Sequence, residues 1–328
     1  MLGLNVSRMI SSLELARLCG VSQGTVDRAL HGRGEIRAAT KARILKAARK
    51  YGYRPNPLVR ELLSGKSRTI GALIPGINSI FFLDLMSEIK AALQPAGRRL
   101  LLEPVSDAQE FMRSLEDFAA RRCRAVLAVP PAEGLKIPAT ITREMPVICL
   151  VSPCRGPNVH FISPDEEQTG RDAVDLLHAR GHRRIVHLTY TRRAYGIEAR
   201  ARGYRRRMRE LRLTPLVVAG GLDGNGAQLL EIVRAQEPTA LFCHNDWLAL
   251  AAVGTLEKNG IAVPLDVSVL GIDASPTFRA LHAGITTLQY PFKAVAAQAG
   301  ELIESGKTLT KIGRFEILEG ATVREVGS

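Results

Sequence analysis

Between residues 68 and 290, nine short apolar runs recur with longer helical stretches between them, and this alternation limits the fold more than any other feature of the chain. The runs are TIGALIP, RRLLLEPV, RAVLAVP and PVICLV, followed by RRIVHLT, PLVVAG, TALFC, VSVLGI and ITTLQ. Each is rich in apolar residues and short, so each reads as a strand. Helical patterns over 80–95, 165–180, 195–211, 226–236 and 246–259 lie between them. Strands joined by crossover helices build parallel sheets, which places this part of the chain in the α/β class. Four runs before residue 160 and five after it predict two similar lobes.

The same runs exclude several chemistries. No GxGxxG or GxxxxGK[ST] follows any of them, and there is no GxSxG elbow, so neither nucleotide chemistry nor that type of hydrolase site is expected. His182, His187 and His244 are candidate acid-base groups, but no nucleophile or metal set accompanies them, and no enzyme activity is expected. The cysteines, Cys19, Cys123, Cys149, Cys154 and Cys243, read as reduced thiols in small core positions. Cys149 and Cys154 are close in sequence but fit no zinc pattern, and neither metal nor other cofactor is expected. No run approaches the roughly 18 apolar residues of a membrane span, so no membrane partner is expected. Residues 1–10 show no secretory pattern, and the expected location is the cytoplasm.

The charge is unevenly placed. The chain carries +13 overall, and residues 1–68 hold 14 Lys or Arg against 4 Asp or Glu, a balance of +10. A basic head on a near-neutral body is the footprint of nucleic-acid binding. The head is also patterned. Ser11 and Glu14 have capping-box spacing, and Leu13, Leu15, Ala16 and Leu18 supply an apolar face for a short helix that stops at Gly20. Ser22 can cap a second helix in which Val26, Ala29 and Leu30 pack back, leaving Gln23, Gly24, Thr25, Asp27 and Arg28 outward. A third helix, from about Thr40 to Tyr51, closes a small all-α core through Ile44, Leu45, Ala48 and Tyr51. Two short helices joined by a tight turn describe a helix-turn-helix.

The segments LELARLCGVSQGTVDRALHGRG and RKYGYRPNPLVRELLSGKSRTIGALIP resemble the head and hinge of the lactose-repressor (LacI/GalR) family. They share its Gly-Val-Ser turn, its Thr-Val-x-Arg recognition helix, its Gly-Tyr-x-Pro-Asn and a hinge with Leu before Gly. The resemblance implies a DNA-binding head over 1–56 and a hinge over 57–67. It also implies a two-lobed core like a periplasmic binding protein, with one lobe from 68–162 plus 290–312, the other from 163–289 plus 313–328, and an effector cleft between them. By position, Gln23 and Arg28 face base edges while Ser22 and Thr25 hold phosphates, and Arg28 is chemically suited to guanine O6 and N7. Gly24 replaces a side chain that often reads bases, Asp27 stands where Ser is usual and His31 where Asn is, so base preference should be unusual. Leu62 aligns with the leucine that the family wedges into the minor groove.

In the cleft, the resemblance assigns Phe81 and Phe82 to an apolar wall, Arg200 to the effector, and Asn245 and Asp273 to its hydroxyls, with Tyr290 where Gln is frequent. Asp246 is expected to cap the following helix. Residues 180–212 hold twelve Arg against Glu198 and Glu210. That concentration suggests Arg192 or Arg193 joining Arg200 around an anionic ligand, with a solvated basic helix face as the alternative. The reading is a ligand-responsive repressor that binds a palindromic operator in double-stranded DNA as a homodimer. Its affinity would be set by a sugar, a sugar phosphate or another polar metabolite. The alternative is a solute-binding receptor.

Overall fold

A computed structural model describes residues 10–31, 34–54, 67–76, 79–192, 194–220, 226–307 and 312–327, without the side chain of His31. The chain divides into two compact units, Met1–Lys66 and Ser67–Ser328.

The first unit contains α1 (Ser12–Leu18), α2 (Gln23–His31) and α3 (Ala38–Lys50). The capping box at Ser11 forms: Glu14 N–H donates to Ser11 Oγ at 3.1 Å, and Ser11 N–H donates to Glu14 Oε2 at 2.7 Å. Leu15, Ala16, Cys19, Val26, Ala29, Ile44 and Ala48 make the core. Leu13, Leu18 and Tyr51 do not join it and are 47%, 55% and 42% exposed. A helix of seven residues meets its neighbours along one narrow edge, which Leu15 and Ala16 fill.

The second unit carries, among its described residues, two sheets. The first joins β1 (Thr69–Ile74), β2 (Arg99–Pro104), β3 (Ala125–Ala128), β4 (Val147–Leu150) and β5 (Val159–Ile162) in the order β2-β1-β3-β4-β5, all parallel. Helices α4 (Ile80–Leu93), α5 (Ala108–Ala120) and α6 (Ala139–Thr142) belong to it. The second joins β6 (Ile185–Thr189), β7 (Leu216–Ala219), β8 (Ala240–Cys243), β9 (Ser268–Asp273), β10 (Thr286–Gln289) and β11 (Glu316–Leu318) in the order β11-β10-β9-β8-β6-β7. Only the β10–β11 pair is antiparallel among these. Its helices are α7 (Glu166–Ala179), α8 (Tyr195–Glu210), α9 (Ala227–Gln236), α10 (Asp246–Lys258) and α11 (Pro276–Leu281). A last helix, α12 (Phe292–Ser305), follows β10 yet packs on α4, so the chain returns to the first sheet before β11 completes the second.

All nine apolar runs are strands. Among the described residues two further strands appear, β5 and β11.

Helices α7 and α8 pack along each other because both lack a side chain at the crossing. A Cβ on Gly170 would strike the Arg200 carbonyl, and one on Gly203 the Glu167 carbonyl. We therefore expect Gly170→Ala or Gly203→Ala to cost about 2–3 kcal/mol, since backbone cannot give way as a side-chain tip can. That loss lowers Tm by about 5–10 °C for a unit of this size. Gly254→Ala on α10 meets open space and should gain roughly 0.5–1 kcal/mol from helix propensity. Thermal unfolding of the variants checks this order.

Candidate nucleic-acid interface and effector cleft

On the head, Ser22, Gln23, Gly24, Asp27 and Arg28 are exposed and Thr25 is half-buried, as expected for an outward face of α2. Ser22 Oγ accepts from Thr25 N–H at 3.2 Å and lies 2.9 Å from Thr25 Oγ1. Gln23 Nε2 donates to Ser12 Oγ at 2.7 Å, tying the second helix to the start of the first. Arg28 folds back along its own helix, with Nε donating to the Gly24 carbonyl at 3.3 Å and Nη2 to Thr25 Oγ1 at 3.4 Å. These bonds are long, so the guanidinium is held weakly. Lys41, Arg43, Lys46, Arg49 and Lys50 form an exposed basic face on α3. Leu62 lies outside the described residues.

In the second unit, Arg200 is the centre of a buried cluster. It is 5% exposed, and Nε donates to Glu166 Oε2 at 2.5 Å. Nη1 donates to the His244 carbonyl at 2.6 Å, and Nη2 lies 3.6 Å from Asp273 Oδ1. Burial works against the Arg200 charge, but Glu166 and Asp273 outweigh it and raise its pKa. Burial drives Asp273 well above the usual carboxylate range, although Arg200 opposes it. His244 is kept neutral, its pKa lowered first by burial and then by Arg200. The Arg200–Glu166 pair carries no net charge. Asp273 lies beside this pair, so the Arg200 guanidinium is compensated within the cluster.

Asp273 sits at φ +113 and Ala274 at φ +47, a left-handed stretch that costs energy for residues with a Cβ. Asp246 secures it. Its Oδ2 accepts from Ala274 N–H at 2.6 Å, and its Oδ1 accepts from Thr287 Oγ1 at 2.6 Å. Gly271 leaves the space, since a Cβ there would strike Asp246 Oδ1. Asp246 is therefore a buried brace, and the cap of α10 is Asn245, whose Oδ1 accepts from Leu248 N–H at 3.0 Å and from Tyr190 Oη at 2.9 Å. The expected cap, Asp246, is therefore not the cap, because the residue in extended conformation before the helix is Asn245.

An aromatic wall adjoins the cluster. The Phe81 ring centroid is 5.2 Å from Phe82, 5.0 Å from Tyr290 and 5.3 Å from Phe292, the first two edge to face. Phe315 contacts Tyr290 at 5.6 Å and lies under the Arg200 guanidinium at 5.9 Å. Burial raises the Tyr290 hydroxyl well above its usual range, and its Oη has no hydrogen-bond partner. Phe81, Phe82, Tyr290, Arg200 and Asp273 thus belong to one connected set. Sequence reasoning missed Glu166, Phe292 and Phe315. Glu166 looked like one of several acids in a first helical turn, and nothing local marked Phe315.

Three further arginines of α8 face away from the cluster. On α8, Arg207 Nε pairs with Asp175 Oδ1 at 2.5 Å, Arg206 with Glu210 at 3.2 Å and Arg202 with Glu167 at 3.4 Å, a basic outer face matched by acids of α7 and α8. Arg192 is exposed and lies over the Tyr190 ring at 5.7 Å. Arg193 lies outside the described residues.

A family profile described as bacterial regulatory proteins, lacI family, matches residues 13–56, and one described as a periplasmic binding protein-like domain matches 174–314. The HTH-type transcriptional regulator AscG of Escherichia coli (strain K12) is 30% identical over 276 residues, covering 81% of this chain and 82% of AscG. The chain belongs to the LacI family. The HTH-type transcriptional repressor PurR of Vibrio parahaemolyticus serotype O3:K6 is 28% identical over 305 residues, covering 90% of this chain and 91% of PurR. Among solved structures, the Lac repressor dimer bound to operator and the anti-inducer ONPF superimposes with a TM-score of 0.81 at 17% identity, covering 97% of this chain and 100% of that one. The transcriptional regulator CelR in complex with cellobiose gives 0.65 at 22% identity, covering 95% and 99%. This LacI-family chain is a transcription regulator, not an enzyme, with a helical head and an α/β core of parallel sheets. No described helix is long and apolar enough to cross a membrane.

Two measurements test the cluster in this LacI-family core. Arg200→Met strands two carboxyl groups and should cost about 3–5 kcal/mol in urea unfolding, whereas Arg200→Met with Glu166→Gln should recover part of that loss. The second concerns pH. Burial lifts Asp246 to about 6 from an ordinary 3.8, so the folded state holds this proton more tightly than the unfolded chain does. Its contribution to stability is complete below about pH 4 and is lost as pH rises through about 6. Relative to Asp246→Asn, the parent protein should lose about 3 kcal/mol between those limits.

Proposed function

We propose that this LacI-family chain is a repressor that binds a pseudo-palindromic operator as a homodimer, its affinity set by an uncharged polar metabolite held between the two sheets of the core. The proposed boundaries are a head over 1–56, a hinge over 57–67, and lobes of 68–162 plus 290–312 and 163–289 plus 313–328. Gln23 and Arg28 would read bases, Ser22 and Thr25 would hold phosphates, and Gly24 and Asp27 would shape what α2 can read. Leu62 would enter the minor groove. The exposed, weakly held polar face of α2 supports this part.

The observation that carries the effector reading is the compensated Arg200 beside an aromatic wall. Arg200, Asn245 and Asp273 supply donors and acceptors for hydroxyls, while Phe81, Phe82 and Tyr290 supply an apolar face, chemistry that suits a sugar or polyol better than its phosphate ester. A direct link between lobes is available to respond to it: Asp84 on α4 accepts from Thr277 N–H at 3.0 Å and from Thr277 Oγ1 at 2.6 Å on α11. Lobe closure would remake this bond and alter how paired hinges present their heads. Leu83, Leu101, Leu102, Trp247 and Leu281 are exposed apolar residues outside the cluster, and Leu101 and Leu102 lie on the edge strand β2, which supports lobe faces as the dimer contact. A cytoplasmic location accords with DNA as partner.

Selection of random duplex DNA on the full chain tests the proposal. We expect a pseudo-palindrome with half-site centres about one helical turn apart, and Arg28→Ala should weaken binding by about 5- to 150-fold. Enrichment of an unrepeated site contradicts the dimer. A thermal-shift comparison of neutral sugars and polyols with their phosphate esters should find stabilisation only by the neutral set. Binding by a phosphate ester, lost in Arg200→Met, contradicts the uncharged class.

A further inference from the structure

The turn after β4 brings two thiols together. Val151 takes φ +67, and Ser152 N–H donates to the Leu150 carbonyl at 2.7 Å, so the chain reverses as soon as the strand ends. Cys154 thereby returns beside Cys149, within hydrogen-bonding reach of it, in the apolar cluster covered by α5 and α6. The next residue anchors the turn: Arg155 N–H donates to the Leu135 carbonyl at 2.9 Å, and Ile137 N–H donates to the Arg155 carbonyl at 2.8 Å. Cys149 is fully buried, while Cys154 is half-buried and the other cysteines are buried.

We propose that Cys149 and Cys154 form a peroxide-oxidisable dithiol that closes to an intramolecular disulfide across the β4–β5 turn. The two sulfurs have different roles. The Cys149 thiol donates toward Cys154, which lowers the pKa of Cys154, while that same bond and burial raise Cys149. Cys154, the partly exposed member of the pair, is the sulfur that a hydroperoxide can reach and is the one that attacks. Its Sγ bonds to one oxygen of a hydroperoxide, the O–O bond breaks, and the other oxygen leaves as water or an alcohol after taking a proton. Cys149 Sγ then bonds to the Cys154 sulfenic sulfur, the S–O bond breaks, and the hydroxide departs as water with the Cys149 proton. Two thiols are oxidised and one peroxide is reduced.

The site is placed to matter. Pro153 and Arg155 flank Cys154 and line a cavity with Glu133 of the first lobe and with Tyr195, Glu198 and Arg202 of α8. Closing the turn therefore acts on a surface that the two lobes share. This inference stands on the turn and the thiols alone and does not depend on the operator or the effector.

The test uses the full chain, reduced, exposed to hydrogen peroxide, alkylated in urea and digested with trypsin. Residues 144–155 form a single peptide that carries both cysteines and no others. We expect that peptide to become lighter by two hydrogens and refractory to alkylation, and a thiol reductant to reverse both changes. Cys154→Ser, at the partly exposed position, should abolish the mass loss and leave Cys149 alkylatable. A doubly alkylated peptide at excess peroxide overturns the proposal. So does accumulation of sulfinic acid on Cys154 while Cys149 remains alkylatable.

Discussion

The buried pair of Arg200 and Glu166 is the interaction on which the cleft depends. Removing a guanidinium and a carboxyl group from water is expensive, and only close geometry with further hydrogen bonds makes it tolerable. Arg200 meets that condition because its planar fork serves three partners at once: Glu166 on α7, the His244 carbonyl after β8, and Asp273 at the end of β9. A lysine could not reach all three. The pair in turn requires that α7 and α8 approach at backbone distance, which Gly170 and Gly203 permit. Helix packing, cleft electrostatics and the left-handed turn at Asp273 are thus solved together.

Much of this architecture is legible in the sequence because it rests on local rules. The nine apolar runs, the capping box at Ser11 and the outward face of α2 each follow from spacing within a few residues. What stayed hidden depends on distant neighbours. The run Asp165-Glu166-Glu167 looks like an ordinary acidic first turn, and only the return of α8 singles out Glu166 as the buried one. Phe315 reaches Tyr290 from a segment that rejoins the core after α12, so no periodicity announces it. Leu13 and Leu18 erred the other way, since apolar residues on so short a helix outnumber the places available to bury them.

The arginine concentration in 180–212 divides among different surroundings. Read as a number, it suggests a cleft that attracts anions. In space it includes one compensated interior charge, Arg200, an outer face of α8 whose arginines pair with acids of α7 and α8, and Arg192 over the Tyr190 ring. Exposed pairs of that kind contribute little each. The basic head has no such matching set of acids, and there the same kind of count retains its meaning for a phosphate-bearing partner.

The chain passes between the sheets three times, after β5, after β10 and before β11. Glu166, Tyr290, Phe292 and Phe315 all stand within a few residues of these passages. The ordered side chains of the cleft therefore sit at the fulcrum of the two lobes, with the far edges of the sheets at the ends of long arms. A displacement too small to break any core contact near Tyr290 is multiplied by the length of those arms before it reaches the outer strands.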